Sequence, residues 1–209
     1  MDSKLKVFHV QGNTRYSQWI ENVEVVEDVA SADLVLFEGG EDVSPSIYGQ
    51  NAHRLTRANK VRDAKEIPIY EEALALNKPI LGICRGAQLI TAKQPYGMLI
   101  QHQPDPTSFH SIKTFDGKEL TITSSHHQAM YPFRMPKSQY KIIGWTENML
   151  KFHEGAREKE LNPPVECEIV YYPKANALGI QGHPEWMDNE SATCIWLRDL
   201  LNKFLTKQL

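Results

Sequence analysis

The sequence predicts an α/β protein with a mostly parallel central sheet, flanked by helices and extended by a small antiparallel β region. In the first half, short apolar runs typical of buried parallel strands alternate with segments of helical periodicity. In the second half, short alternating segments separated by turn residues are typical of antiparallel strands. With 209 residues, 41% of them hydrophobic, the chain is long enough for one sizeable core, so we expect one domain over residues 1–209.

The first forty residues predict three strands and one short helix. The strands are expected at Leu5–Val10, Val23–Val26 and Asp33–Phe37, and the helix at about Tyr16–Asn22. The third run is wholly apolar and is stopped by Glu38-Gly39-Gly40, as a buried parallel strand would be. Residues 41–60 contain Pro45 and Gly49 and predict a loop.

A helix is predicted over Asp63–Asn77, with Ile67, Tyr70 and Leu74 on one face and with Pro68 starting or kinking it. The next elements are a strand and a second helix, expected at Pro79–Ile83 and from Arg85 onward. This alternation of strands and helices implies parallel strands joined by right-handed crossovers.

The second half predicts a hairpin, three further strands and a final helix. The hairpin covers Ile112–Thr123 around the turn at 115–118, after a loop at Gln103–Ser108. The strands are expected at Tyr140–Trp145, Val165–Tyr172 and Ala177–Gly182. The helix, at about Asn189–Lys207, carries an apolar stripe made of Ile195, Trp196, Leu200, Phe204 and Leu205.

Composition excludes several classes of protein. The net charge of −3 is spread without runs, so we expect neither a nucleic-acid partner nor a disordered acidic tail. No apolar stretch approaches the ~20 residues that a membrane span needs, and the N-terminus lacks a signal-peptide core. The three cysteines have no paired spacing, which favours reduced thiols and a cytoplasmic location.

The segment from Lys78 to Leu89 holds the most informative motif of the chain. In Gly82-Ile83-Cys84-Arg85-Gly86, an apolar strand ends and a helix begins around one cysteine. This is the Gly-x-nucleophile-x-Gly elbow, with cysteine in place of serine. The glycines leave room for the crossing strand and helix, and the helix N-terminus favours the thiolate form of Cys84.

A thiolate nucleophile needs a base within hydrogen-bond reach and a third group that orients the base. His183 and Glu185 follow the last predicted strand, and residues two apart on an extended segment point to the same side. In a parallel sheet, Cys84 and His183 would both lie at the carboxyl ends of strands. The residues therefore predict a Cys84-His183-Glu185 triad.

Four ordered motifs resemble those of a known group of proteins. GICRGAQL around Cys84 and GIQGHPEW around His183 resemble the class I glutamine amidotransferase superfamily, which has a flavodoxin-like fold. The stretch from Phe37 to Gly49, FEGGEDVSPSIYG, and the Ser124–Ala129 loop, SSHHQA, resemble the γ-glutamyl hydrolase (peptidase C26-type) branch. The resemblance runs from the first strand to the final helix.

This resemblance implies roles for individual residues. Cys84 would attack a γ-glutamyl amide carbonyl, His183 would move the proton, and Glu185 would orient His183. Backbone N–H groups of Gly40 and Arg85 would form the oxyanion hole. The glutamyl head group would be contacted by Gln88 and by the loop residues His126, His127 and Gln128. No cofactor is implied.

The chain departs from the family pattern in two places. After its Gln-Leu pair the family helix ends in Gly-Gly, whereas Thr91–Leu99 reads TAKQPYGML, which predicts an early helix end and an altered pocket wall. The family has a bulky residue just before its final His-Pro-Glu, where this chain has Gly182, so we expect open space beside the base.

Other candidate residues have simpler interpretations. Cys167 and Cys194 are expected to be inert core thiols, and Asp42 to be structural. His126 and His127 are adjacent and therefore diverge, so no metal site is expected from them. Trp145, Trp186 and Trp196 are expected to pack in the core or at the rim.

Three functions are compatible with these residues. The first is a free-standing cysteine hydrolase of γ-glutamyl amides, acting on a small molecule. The second is a glutaminase subunit that passes ammonia to a separate synthase, and the third is a non-catalytic regulatory relative. The leaving group and the oligomeric state are open, and a homodimer would suit the family.

Overall fold

The computed structural model describes residues 3–103, 109–147, 151–154, 157–160 and 165–209. Its largest element is a nine-stranded sheet with the strand order β2-β1-β3-β4-β13-β12-β9-β6-β7. The strands named in this order are β1 Leu5–His9, β2 Val23–Val26, β3 Leu34–Phe37, β4 Ile80–Ile83, β6 Phe109–Thr114, β7 Glu119–Thr123, β9 Lys141–Thr146, β12 Glu166–Tyr172 and β13 Ala177–Ile180.

The sheet is parallel on one side and antiparallel on the other. The strands from β2 to β13 pair in parallel, and those from β13 to β7 pair antiparallel. The wholly buried β3 and β4 lie in the parallel part, as their uninterrupted apolar sequences require. The predicted fold class is therefore confirmed.

Three α-helices are described: α1 Lys60–Ala75, α2 Arg85–Ala92 and α3 Ala192–Leu205. Helix α2 packs on β4 and β13, and it ends at Ala92, which confirms the predicted early end. Helix α3 begins at the Ser191 N-cap, whose side chain accepts from the Cys194 N–H. It buries Trp196, Leu200 and Phe204 in the core, whereas Ile195 of the predicted stripe is exposed.

Helix α1 differs from its prediction. It begins at Lys60 behind an Asn59 N-cap, and Pro68 lies inside it. Its buried face holds Tyr70 and Ala73 together with two carboxylates, Asp63 and Glu66, while Leu74 is exposed. The pattern of apolar residues predicted the wrong buried face, because Asp63 and Glu66 are buried as ion pairs with arginine side chains. Helical periodicity does not reveal such pairs.

The helix predicted at Tyr16–Asn22 is wrong. This segment instead contains one 3₁₀ turn, Thr14–Ser17, which is followed by further turns. The Asn13 side chain caps the turn by accepting a hydrogen bond from the Arg15 N–H. In the predicted loop at 41–60, a second 3₁₀ turn covers Pro45–Tyr48. The part of the predicted loop at 104–108 lies outside the described residues.

Four short strands were not predicted: β5 Met98–Ile100 pairs with β8 Ala129–Tyr131, and β10 Lys151–Glu154 pairs with β11 Arg157–Glu160. Cys167 and Cys194 are buried core residues, as expected, and burial raises the pKa of each thiol. Within the described residues no helix combines the length and the apolar character needed to cross a membrane.

Candidate active site

Cys84 occupies the turn between β4 and α2. Its backbone adopts φ 50° and ψ −107°, a strained conformation for a residue with a side chain. The strain is held by a hydrogen bond of 2.7 Å from the Cys84 N–H to the Ile180 carbonyl of the neighbouring strand. The side chain is nearly buried and stands at the N-terminus of α2, where unpaired N–H groups favour a thiolate.

Both glycines of the elbow are required by close packing. A Cβ atom at Gly82 would lie 2.5 Å from the Ala87 amide nitrogen, and one at Gly86 would overlap the Phe37 carbonyl oxygen. The first contact is with helix α2, and the second is with the neighbouring strand β3. The spacing around Cys84 therefore has the mechanical cause that the motif suggested.

His183 follows β13 and is fixed by the adjacent strand β7. Its carbonyl accepts a hydrogen bond of 2.6 Å from Thr123 Oγ1, and its N–H donates to the Thr123 carbonyl at 3.3 Å. Nδ1 lies 2.7 Å from Oε1 of Glu185, and both side chains are almost fully buried. Nε2 has no partner of hydrogen-bond geometry among the described residues, and the Cys84 thiol lies beside it.

The charges around His183 favour its protonated form. Burial disfavours an imidazolium, but Cys84 and Glu185 outweigh burial and raise the pKa of His183 to about 9. The thiol is close enough to act on the imidazole electrostatically, although the two groups do not meet the geometry of a formed hydrogen bond. This arrangement favours an imidazolium beside the Cys84 thiol at neutral pH.

Two aromatic side chains flank the base. The Trp186 ring stacks on the His183 ring, with centroids 3.7 Å apart and planes within 5° of parallel, although about half of Trp186 is exposed. Tyr16 lies on another side, with ring centroids 6.4 Å apart. Burial, with Glu185 and Cys84, raises the pKa of Tyr16 to about 12, so its hydroxyl is a donor at neutral pH.

These groups open onto a cavity of about 210 Å³. Its lining includes most of the predicted site residues: Gly40, Cys84, Gln88, His126, His127, Gln128 and His183. Tyr16, Asp42, Ser125 and Trp186 complete the lining. Glu185 lies behind His183 and is not part of this wall, and neither is Arg85. The structure therefore brings together segments that are up to 170 residues apart in the sequence.

Gly40 and Arg85 are held by one ion-pair network. Arg62 donates to the Glu38 carbonyl and to Glu41 Oε2, both at 3.1 Å, and so spans the Gly39-Gly40 turn. A Cβ atom at Gly40, where φ is 150°, would overlap the Arg62 guanidinium. The turn therefore requires glycine and is clamped at both ends.

The Arg85 side chain points away from the cavity and is fully buried. Its guanidinium pairs with Glu66 and, at 2.6 Å, with Asp63 Oδ1. Glu66 also accepts from Arg62 Nε at 2.7 Å and from Gln11 Nε2 at 3.0 Å. One buried carboxylate thus links Arg62, beside the Gly40 turn, to the first residue of α2.

Glu38, which directly precedes the Gly39-Gly40 turn, stabilises this turn. It is buried and accepts hydrogen bonds from the Gln11 and Asn13 N–H groups at 2.9–3.2 Å. Burial raises the pKa of Glu38 to about 7 against the lowering effect of these N–H donors. The contact joins the Gly39-Gly40 turn to the loop that carries Tyr16.

One wall of the cavity contains a side-chain amide without a hydrogen-bond partner among the described residues. Gln88 Nε2 donates to the Gln128 carbonyl at 2.8 Å, which fixes the 124–128 loop against α2. The side-chain amide of Gln128 is buried, and neither of its polar atoms has a partner in the described part of the chain. His127 Nε2 lies 3.0 Å from Asp42 Oδ1. Asp42 also accepts the Arg57 N–H at 2.7 Å, in agreement with its expected structural role.

A second cavity, of about 270 Å³, adjoins the first. It is lined by His53, Arg54, Leu55, His102 and His153. The His102 and His127 rings connect the two cavities, with their Nδ1 atoms 3.4 Å apart. Burial and the neighbouring imidazoles lower the pKa of His53 and of His102, so these rings are neutral at physiological pH.

The expectation of open space at Gly182 is wrong. A Cβ atom there would lie 2.5 Å from the Ile122 side chain and 2.5 Å from the Thr123 carbonyl oxygen. Strand β7 fills the space that a bulky residue would take and also anchors His183. The glycine is therefore a packing requirement of the antiparallel part of the sheet.

A family model decides the classification. The model of peptidase C26 matches residues 16–127, more than half of the chain. The chain belongs to the peptidase C26 family. The matched region contains Cys84, the Gly39-Gly40 turn and the His126-His127 pair, and it ends before His183.

Two known proteins resemble this peptidase C26 member in sequence. Protein NtpR of Enterococcus hirae is 42% identical over 176 residues, which span 77% of this chain and 70% of that protein. The YvdE homolog of Lactococcus lactis subsp. cremoris, which is named as glutamine amidotransferase-like, is 37% identical over 150 residues, or 61% and 80% of the two chains. The predicted superfamily, class I glutamine amidotransferase-like, is confirmed.

Solved structures share the fold of this peptidase C26 member at low sequence identity. The glutaminase domain of Trypanosoma brucei CTPS, with bound acivicin, superposes with a TM-score of 0.60 at 10% identity and covers 98% of this chain and 94% of its own. A glutamine amidotransferase from Thermotoga maritima gives 0.57 at 14% identity and covers 100% and 87%. These similarities establish the fold alone.

The sequence did not reveal every residue at this site. Tyr16 lies on a loop after β1, and nothing in its neighbourhood in the sequence points to the cavity. Glu66 was not singled out, because it lies within a predicted helix. An acidic residue three positions after Asp63 on a buried helical face is nevertheless a signal for a paired charge. Trp186 was predicted as core or rim packing, and it lies at the rim against His183.

Proposed function

We propose that this peptidase C26 member is a cysteine hydrolase that cleaves γ-glutamyl amide bonds through an acyl-thioester. The observation that carries the proposal is the meeting of Cys84, His183 and Glu185 at one cavity, with Cys84 on a strained elbow and Nε2 of His183 beside its thiol. The names of its relatives support an amide substrate of glutamine type.

The first half of the reaction forms the thioester. The Cys84 sulfur attacks the γ-carbonyl carbon, and a tetrahedral intermediate develops negative charge on oxygen. The Gly40 and Arg85 N–H groups would donate to this oxygen, because Gly40 lines the cavity and Arg85 follows the nucleophile at the start of α2. The C–N bond then breaks as His183 gives its Nε2 proton to the departing amine.

The second half returns the enzyme to its starting state. A water molecule loses a proton to His183 Nε2 and attacks the thioester carbonyl. Collapse of the second tetrahedral intermediate releases glutamate and the Cys84 thiolate, beside an imidazolium again. Glu185 remains ionised and stabilises that imidazolium through its 2.7 Å contact with Nδ1.

The cavity wall supplies groups for the glutamyl head group. The unpaired amide of Gln128 offers one donor pair and one acceptor to a ligand, and a buried amide gains most from such pairing. Gln88 and His127 line the same wall and hold its shape through the Gln128 carbonyl and Asp42. His126 contributes to the lining, but its ring lies toward Glu166 and Glu168.

The test is steady-state hydrolysis of a γ-glutamyl anilide and of glutamine, with no partner protein added. Wild type is expected to release the aniline, and Cys84→Ala is expected to be inactive. Cys167→Ala is the matched control, because Cys167 is a fully buried thiol that does not line the cavity. Equal activity of wild type and Cys84→Ala would contradict the proposal.

The alternative is a glutaminase subunit that serves a separate synthase. It rests on the same triad and on structural neighbours such as PurLQS from Thermotoga maritima, which has a TM-score of 0.60 at 13% identity. Such a subunit would be nearly silent alone, while its Cys84 would still react with a thiol probe. Strong activity of the isolated chain on the anilide would exclude it, and recovery of a synthase with an inactive chain would favour it.

A further inference from the structure

A buried group of ionisable side chains lies behind the substrate wall and takes no part in the proposed reaction. His126 comes from the segment between β7 and β8, and Glu166 and Glu168 come from β12. One donor atom from each of the three residues lies within 4.8 Å of the other two. Glu168 is completely buried, and His126 and Glu166 are more than nine-tenths buried.

Several polar atoms of this group are unsatisfied. Neither ring nitrogen of His126 has a hydrogen-bond partner within the described ranges, and neither has Oε2 of Glu168. An unpaired buried donor or acceptor destabilises the folded state, and native proteins contain few of them. Because one imidazole nitrogen and one oxygen of each carboxylate lie within 4.8 Å of one another, a single ligand can contact all three residues.

The other Glu168 oxygen has a fixed partner. Oε1 lies 2.9 Å from Nε2 of His110, which reaches it from strand β6. Carboxylates that bind metal ions are themselves held by hydrogen bonds from neighbouring groups, as Oε1 of Glu168 is held by His110. The pairing of β12 with β9 shifts register at this point, and such bulges redirect side chains.

We propose that His126, Glu166 and Glu168 bind one divalent transition-metal cation, with Zn²⁺ the best match. One imidazole nitrogen and two carboxylate oxygens are a donor set that Zn²⁺ accepts, and a water molecule completes four-coordination. Zn²⁺ holds such donors at about 2.0–2.2 Å, so binding draws the three side chains inward. The ion would tie the 124–128 loop to β12 and stiffen the wall behind the cavity.

A second histidine cluster makes a specific test necessary. His53, His102 and His153 lie together with ring centroids 4.6–5.7 Å apart, His53 is buried and the other two are partly buried, and clustered imidazoles can also bind Zn²⁺. A zinc effect alone therefore does not locate the ion. The variants Glu166→Gln and His53→Gln separate the two sites, and Glu147→Gln is the control for an exposed glutamate.

The experiment is calorimetric titration of metal-free protein with ZnCl₂, together with the melting temperature with and without zinc. Wild type is expected to bind one Zn²⁺ tightly and to melt at a higher temperature. Glu166→Gln is expected to fold, to bind about tenfold or more weakly and to lose the zinc-dependent rise. His53→Gln and Glu147→Gln should keep the tight site.

A second measurement needs no variant. The X-ray absorption spectrum of wild type loaded with one equivalent of Zn²⁺ should show one imidazole with oxygen donors. Two or more imidazoles per zinc, loss of tight binding in His53→Gln alone, or undiminished binding by Glu166→Gln would overturn the proposal. So would the failure of wild type to bind Zn²⁺. None of these results depends on the hydrolase activity.

Discussion

Nδ1 of His183 lies 2.7 Å from Oε1 of Glu185, and this contact determines which ring nitrogen remains for chemistry. With Nδ1 bound to the carboxylate, Nε2 is the nitrogen beside Cys84. Burial alone would make the imidazole neutral, but the thiol and the carboxylate raise the pKa of His183 to about 9. The His183 imidazole is therefore expected to be charged over the physiological pH range.

The raised pKa of His183 predicts how the imidazole titrates. In wild type, NMR titration of ¹³C-labelled histidine should show one imidazole that remains protonated until the pH approaches 9. Removing a favourable negative partner lowers the pKa of an imidazole, so Cys84→Ala and Glu185→Gln should each shift this titration toward 6.5. A wild-type midpoint near 6.5, unchanged in both variants, would contradict the assignment.

The same pKa has a consequence for stability. Because the folded-state value exceeds the ordinary 6.5, the charged His183 contributes stability that is fully present below pH 6.5 and is lost as the pH rises through about 9. The melting temperature of wild type should therefore fall between these limits more steeply than that of Glu185→Gln. Parallel melting curves for the two proteins across this range would be the opposite result.

Glu66 is predicted to support both sides of the proposed oxyanion hole. Glu66→Gln keeps the size of the side chain but removes the charge that Arg62 and Arg85 share, which should destabilise the fold by about 3 kcal/mol. The displaced N–H groups should lower kcat about 10- to 100-fold, with a smaller change in KM.

The control for Glu66 lies on the same helix. Glu71 is exposed and pairs with Lys93 at 3.0 Å, so Glu71→Gln should change neither stability nor kcat appreciably. Denaturant unfolding and anilide kinetics measure the two effects separately. Equal behaviour of the Glu66 and Glu71 variants would show that the buried network does not position the site.

Gly182 is predicted to be intolerant of any side chain. Gly182→Ala places a methyl group 2.5 Å from the Thr123 carbonyl oxygen, so β7 must move, at a cost of about 1–3 kcal/mol. Gly179→Ala is the milder comparison, since its Cβ atom would meet nothing nearer than 3.1 Å. Thermal unfolding checks both variants, and a melting temperature for Gly182→Ala at or above that of Gly179→Ala would contradict this packing.

Much of the fold could be predicted from the sequence, because the sequence patterns that indicate its strands and its elbow are local. The apolar runs of β3 and β4 are short and wholly buried, and the elbow spacing follows from two close contacts. The position of Cys84 beside His183 could be predicted because the carboxyl ends of β4 and β13 meet at one edge of the sheet. The resemblance to a known family predicted further residues that line the cavity, which are Gly40, Gln88 and the loop residues 126–128.

Other features depend on long-range partners. The buried face of α1 was misjudged because Glu66 is paired with arginines, one of them on a different helix. The effect of Gly182 depends on β7, which lies some 60 residues earlier in the chain. His126 was paired in the sequence with its neighbour His127, whereas in space it faces Glu166 and Glu168. These contacts join residues that are far apart in the sequence, so the periodicity of apolar residues does not reveal them.

The most direct test of the account is covalent labelling with a chloroketone analogue of glutamine, followed by intact-mass measurement and peptide mapping. One adduct per chain is expected, on Cys84, and its formation should be slower when a γ-glutamyl substrate competes. Cys167 and Cys194 provide internal controls, because both thiols are buried and neither lines the cavity. Labelling of Cys167 or Cys194 in preference to Cys84, or the absence of an adduct on a folded chain, would contradict the assignment of Cys84 as the nucleophile.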